Sequence, residues 1–105
     1  MSHTQHIAIE DDEDGRVLAT AEVHTNPYLI QAQLRVEPGP LPDGVRARLV
    51  DAVLDLHCFP PGRMLEMTLP ADDTEMLNQV RQRCGTVQTR TAGTSCLLRT
   101  TAPAP

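Results

Sequence analysis

Between Leu65 and Gly85 the hydrophobic period of the chain changes once, and that change sets two elements and the turn between them. Leu65, Met67 and Leu69 alternate with Met64, Glu66 and Thr68, a period of two that suits a strand with one buried face. Further on, the apolar positions become Met76, Leu77, Val80 and Cys84, the spacing of one helix face. No single element presents both sets on one side, so a polar turn after Leu69 must separate a strand from a helix. Asp72 is read as the N-cap of that helix, with Glu75 three residues on in a capping-box arrangement, the cap contributing about 1 kcal/mol. Gly85 stands where a left-handed residue closes a helix.

The same reading extends to both ends. Ile7 and Ile9 alternate with Ala8 and Glu10, and the acidic run that follows ends in Asp14-Gly15, a pair suited to a tight hairpin. Those acids are consecutive, whereas a calcium loop needs ligands at alternating positions, a central Gly and a terminal Glu, so the run is read as a solvated turn. Val17, Ala19, Ala21 and Val23 share a face of a second strand, which Asn26-Pro27 interrupts after His24. Tyr28, Ile30, Ala32, Leu34 and Val36 make the longest alternation, and Gln31, Gln33, Arg35 and Glu37 give its other face a wet or ligand-facing character. The Pro-rich stretch from Pro38 to Pro42 delivers the chain to Asp43, a predicted N-cap, and to a helix with Val45, Leu49, Ala52, Val53 and Leu56 on one stripe.

Pro60-Pro61-Gly62 closes that helical region before the strand at Leu65, and strand, helix, strand at this spacing implies a right-handed crossover and a parallel pair. At the end, Val87 to Thr91 and Ser95 to Thr100 flank Ala92-Gly93 as a closing hairpin. The predicted fold class is α+β: a mixed, mainly antiparallel sheet of about six strands with two helices, in the chain order β-β-β-α-β-α-β-β. Residues 1–101 are read as one domain and 102–105 as a disordered tail.

Composition narrows the function classes. A chain of 105 residues is long enough for one domain that buries roughly two thirds of its unfolded surface. A formal net charge of -5, with nine Arg and no Lys, argues against nucleic-acid binding, which draws on clustered cations. An Arg-only basic set with abundant Ala, Pro and Thr looks like coding from a GC-rich bacterial genome, a compositional association. No apolar run approaches the roughly 20 residues of a membrane span, and the first residues lack a charged start followed by an apolar stretch, so a cytoplasmic protein without a membrane partner is expected. Cys58, Cys84 and Cys96 are odd in number and lack CxxC spacing, which leaves them as small hydrophobes. With Phe59 and Tyr28 as the only aromatics, the core must be aliphatic, and a homodimer is expected to supplement it.

Leu65 to Gly85 resembles the late strand-and-helix segment of GNAT-type N-acetyltransferases, where a strand ending in a small Pro-containing turn delivers an Asn-led helix beside the acyl-CoA. The order of elements is similar to a GNAT domain without its first strand and first two helices, which that family uses in part to build the acceptor pocket. The family's central strand is followed by a Gln/Arg-x-x-Gly-x-Gly/Ala loop whose amides hold the pyrophosphate of CoA at a helix N-terminus. Gly44 and Arg46 match its Gly-x-Gly/Ala steps in position, while Leu41 stands at its Gln/Arg. The resemblance thus implies acetyl-CoA or CoA as ligand, near Leu34, Arg35, Val36, Gly44, Val45, Arg46 and Asp73.

It does not imply a catalytic residue. Asp73 and Val80 replace the family's Asn and Tyr, and that Tyr serves many members as a general acid. Glu10, Glu22, His24 and Glu37 could each act as a base on an amine but are read as surface residues. His57 and Cys58 are neighbours that point different ways on a helix, and His3 and His6 sit in an N-terminus read as mobile, so neither a Cys/His pair nor a metal site is assigned. The expected function is a non-catalytic GNAT-like module that binds a protein partner, another copy of itself or an acyl-CoA fragment. One alternative is a small acyltransferase completing its site across a dimer, with the backbone of Gln31 to Val36 and the Gly44 turn holding the thioester. Another is a ferredoxin-like small-molecule sensor.

Overall fold

The computed structural model describes residues 3–56 and 62–101. Six strands, β1 (His3–Glu10), β2 (Val17–Thr25), β3 (Leu29–Val36), β4 (Met64–Pro70), β5 (Gln88–Ala92) and β6 (Ser95–Thr101), form one sheet in the order β1-β2-β3-β4-β6-β5. Helix α1 (Val45–Leu54) joins β3 to β4, and α2 (Thr74–Cys84) follows β4. The pairs are antiparallel except β3 with β4, the parallel pair expected of a strand-helix-strand crossover. The predicted chain order and fold class are therefore met.

One face of this sheet is dry. Ile30, Ala32 and Leu34 of β3, Leu65, Met67 and Leu69 of β4, and Cys96 and Leu98 of β6 are buried, as the period of two requires. Leu49, Val50 and Val53 of α1 and Met76 and Val80 of α2 pack with them, each such side chain contributing about 1.5–3 kcal/mol by leaving water. α1 and α2 lie side by side in the same direction. Arg46 meets Asp73 at their N-terminal ends, while Arg83 near the end of α2 holds Asp51 at 2.7 Å and Asp55 at 2.6 Å near the end of α1. The Asp55 and Asp51 hydrogen bonds raise the pKa of Arg83, so its guanidinium stays charged throughout the physiological range.

Several local expectations are corrected. Asn26 folds its carboxamide back to accept from the amides of Tyr28 (2.9 Å) and Leu29 (2.8 Å), so Tyr28 belongs to the turn and is 87% exposed instead of lying on the buried face of β3. The register of β1 with β2 slips between Ile9 and Glu10, and Leu18 enters the core beside Ala19. Asp73, not Asp72, caps α2 by accepting from the Met76 amide at 3.1 Å; Glu75 then falls on the second helical residue and no capping box forms. α1 begins from Gly44 at φ +83, with no side-chain cap from Asp43. Its buried stripe includes Val50 and Leu54, whereas Ala52 and Leu56 are only half-buried. His3 and His6, read as mobile, lie in β1, an edge strand paired along its length with β2. The closing hairpin turns at Gly93-Thr94, one residue later than expected, and Gly85 closes α2 at a positive φ of +76 but with ψ -107, outside the expected left-handed helical region. His57, Cys58 and the 102–105 tail lie outside the described residues.

The opposite face of the sheet carries no helix among the described residues, and it is polar. Tyr28 and Met64 are the large hydrophobics that stand exposed among the described residues. Among the described residues the open elements of the sheet are the edge strands β1 and β5, the latter with all five residues exposed.

Candidate functional site

Parallel strands that part expose backbone, and β3 and β4 part. Their pairing runs from Leu29 with Met64 to Gln33 with Thr68 and stops, although β3 continues through Leu34, Arg35 and Val36 and β4 through Leu69 and Pro70. Beyond that point each strand stays with its outer neighbour. Leu34, Arg35 and Val36 remain in register with Ala21, Thr20 and Ala19 of β2, while Leu69 and Pro70 remain with Cys96 and Ser95 of β6. A V therefore opens at the carboxyl ends of the two central strands, the end at which open α/β sheets bind ligands. Pro70 suits such a place, since it has no amide proton to leave unpaired.

The two helix N-termini beside the V differ in character. That of α2 is filled: the Asp73 carboxylate occupies the cap, and Glu75 adds a second acid to the first turn. That of α1 is open, with no capping side chain and no acid in its first turn. Val45 donates to the Pro42 carbonyl and Arg48 to that of Gly44, which leaves the amides of Arg46 and Ala47 without an acceptor among the described residues. A Cβ built on Gly44 would meet nothing within 4 Å, so the turn itself is open on that side. An anion is favoured at the first of these termini in the chain and disfavoured at the second.

The residues implied by the resemblance are only partly brought together. Gly44, Val45 and Arg46 form the first turn of α1, and Asp73 reaches it through a 2.8 Å ion pair from Arg46 Nε to Asp73 Oδ2. Asp73 is 4% exposed and Arg46 30%, so the carboxylate is the sequestered partner and the guanidinium reaches water. Leu34 and Val36 lie along the parting edge, but Val45 and Leu34 point into the core. Arg35 alternates to the other face, beside His6 and Glu22. The depression at the start of α2, lined by Leu69, Pro70 and Asp73, measures about 20 Å³.

A much larger cavity, about 510 Å³, lies on the helix-free face across β3, β4, β6 and β5. The expectation that Gln31 and Gln33 mark a ligand-facing side of β3 is consistent with it. Glu66, Thr68, Arg90 and Arg99 were not singled out from sequence; they complete the lining because they sit in register with those glutamines on neighbouring strands. At the edge of this cavity Glu22 and His24 meet, His24 Nε2 lying 3.0 Å from Glu22 Oε1 and its Nδ1 2.9 Å from the Thr4 hydroxyl. Both side chains are close to half exposed, as surface residues; His24 stands level with Gln31 and Glu22 with Gln33, the last paired rung before the V.

No family profile matches the sequence, and a search of curated proteins returns no match. Solved structures do match. A candidate acetyltransferase from Sphaerobacter thermophilus superposes with a TM-score of 0.66 at 17% identity, over 99% of this chain and 67% of that one. A GNAT-superfamily phosphinothricin acetyltransferase from Sinorhizobium meliloti, in complex with AcCoA, gives 0.62 at 12% identity, over 95% and 62%. A GNAT-family acetyltransferase from Streptococcus pneumoniae gives 0.53 at 10% identity, over 84% and 61%. The fold of this chain is the GNAT acetyltransferase fold, and the chain spans about three fifths to two thirds of the length of these three structures. Six strands in the order β1-β2-β3-β4-β6-β5 leave the ferredoxin-like alternative without support.

Proposed function

We propose that this chain is an acyl-CoA-binding GNAT-fold module that does not itself catalyse acyl transfer and that associates with a second copy. The observation that carries the binding half is the parting of β3 and β4 next to the uncapped N-terminus of α1. The amides of Arg46 and Ala47, with the turn at Gly44, would take the pyrophosphate of CoA, and the β4-facing edge of Leu34 to Val36, which β4 leaves open, would accept the elongated arm. When bound, the thioester supplies the activated acyl group; the chain supplies positioning and fixed donors. Two of the neighbouring structures of this fold hold acetyl-CoA, which supports the reading.

The non-catalytic half rests on what lines the V. Val80 is fully buried in α2 where the resemblance puts a Tyr, and Tyr28, the one tyrosine of the chain, adjoins the opposite, paired end of the β3–β4 seam. Asp73, at the family's Asn, is engaged by its cap and by Arg46. Self-association would proceed through the exposed edges β5 or β1.

Thermal denaturation with CoA and acetyl-CoA tests the binding reading: ligand at 100 times its dissociation constant adds about 2.7 kcal/mol of stability. No rise in melting temperature at millimolar ligand would remove it. Thiol release from acetyl-CoA in the presence of amines, monitored in parallel, is expected to stay at the uncatalysed rate. Sedimentation at micromolar concentration tests the dimer, and a single 11.5 kDa species would exclude it.

A further inference from the structure

Two polar rungs cross the whole helix-free face. Thr4, His24, Gln31, Glu66, Arg99 and Gln88 stand in one row of register partners, one from each strand. His6, Glu22, Gln33, Thr68, Leu97 and Arg90 make the next. The half of this face over β3, β4, β6 and β5 forms the 510 Å³ cavity, within the size range of small-molecule sites.

Three features of the lining describe what it would hold. Its charge is opposite to that of the chain: Arg90 and Arg99 face a single carboxylate, Glu66, in a protein of net charge -5. Hydrogen-bonding capacity is left open, because the side chains of Gln31, Gln33, Thr68, Gln88 and Arg90 have no partner among the described residues. The Glu66–Arg99 contact is also one-sided. Nε (3.3 Å) and Nη2 (3.1 Å) of Arg99 both donate to Oε2, leaving Glu66 Oε1 free to accept. Guanidinium groups match the two oxygens of a carboxylate, and a carboxylate oxygen matches an ammonium.

We infer that this cavity binds a small amino-carboxylate zwitterion, with the ligand carboxylate on Arg90 and Arg99 and its ammonium on Glu66 Oε1. Gln31, Gln33 and Gln88 supply amide donors and acceptors for the remaining polar atoms. β4 and β5 flank β6, roughly 10 Å apart, so Arg90 and Glu66 line the cavity from either side of β6, a span that suits a molecule of amino-acid size. The site is on the face away from α1 and does not depend on CoA binding in the V.

Titration of ¹⁵N-labelled protein with L-glutamine to 20 mM, monitored by amide chemical shifts, tests the assignment. Shifts are expected to concentrate on Gln31, Gln33, Glu66, Thr68 and β5 and to spare α1. Arg90→Ala lies on an exposed edge strand and should fold; it and Glu66→Gln are each expected to weaken binding at least tenfold, with an unchanged spectrum elsewhere showing that the fold is kept. N-acetyl-L-glutamine, lacking the ammonium, and the methyl ester, lacking the carboxylate, should each bind at least tenfold more weakly than the parent. Absence of shifts at 20 mM, equal binding by either blocked analogue, or undiminished binding by Arg90→Ala overturns the inference.

Discussion

Removing Arg46 should expose how strongly the two helix N-termini depend on one ion pair. In Arg46→Ala the Asp73 carboxylate, 4% exposed, keeps the Met76 amide as its one remaining donor. Stripping the partner from a buried pair costs about 3–5 kcal/mol, and the partial exposure of Arg46 brings the expectation down to about 2–3 kcal/mol. Asp73→Asn keeps the cap, because Asn caps about as well as Asp, and it frees Arg46 toward water at a cost of about 1 kcal/mol. Once the carboxylate has gone, deleting Arg46 as well should matter little, so the double variant is expected near the Asp73→Asn value and the coupling near 2 kcal/mol. Urea denaturation of the four proteins measures this directly. With a melting-temperature shift of roughly 4–8 °C per kcal/mol for a domain near this size, Arg46→Ala should fall by about 10–20 °C. Additive effects within about 0.3 kcal/mol would refute the reasoning, since they would mean that the 2.8 Å contact carries no energy of its own. The same variants bear on the ligand: Asp73→Asn removes a negative charge facing the α1 N-terminus and is expected to tighten CoA binding by about fivefold, the worth of roughly 1 kcal/mol at 4 Å in water.

Three further outcomes follow. Gly85→Ala, at φ +76 on the end of α2, should lower stability by about 1 kcal/mol by urea denaturation, whereas Gln82→Ala on the exposed surface of that helix should change it by less than 0.5. Val80→Ala, fully buried between the helix and the sheet, should cost about 2–3 kcal/mol with the same slope in urea. Cys84 is held protonated by burial, its pKa raised above the usual thiol value, so it should react with iodoacetamide more slowly than an unfolded-chain thiol at pH 8. The sign for stability follows from the same shift: the unfolded thiol loses its proton first, so the contribution is present below the unfolded pKa and is lost as pH rises through the folded one. Cys84→Ala should flatten that alkaline decline; an equal decline in both proteins would refute it.

Much of the architecture was legible in periodicity. A strand that buries one face must alternate and a helix that buries a stripe must repeat at three and four, so Ile30–Ala32–Leu34, Leu65–Met67–Leu69 and Met76–Val80 declared their elements and their buried sides. Turn chemistry was legible to within a residue. Asp72 and Asp73 are equally good caps on paper, and only the path of the chain out of β4 decides which carboxylate reaches the Met76 amide. Tyr28 misled because its parity matched β3, while the Asn26 carboxamide had already committed its backbone to a turn.

By itself, the sequence determined what each segment must hide from water: six strands and two helices, in order, with aliphatic faces and a wet side to β3. Only the tertiary structure decided where strands part and which polar side chains meet. The V exists because β3 holds to β2 and β4 to β6 beyond Gln33 and Thr68, a competition between neighbours that no local pattern records. The Arg46–Asp73 pair joins residues 27 apart, and the polar rungs take one side chain from each of six strands. Burial is written residue by residue because it is a property of a side chain and its period; register and divergence are properties of pairs of strands, and they are settled only when the whole sheet has chosen its neighbours.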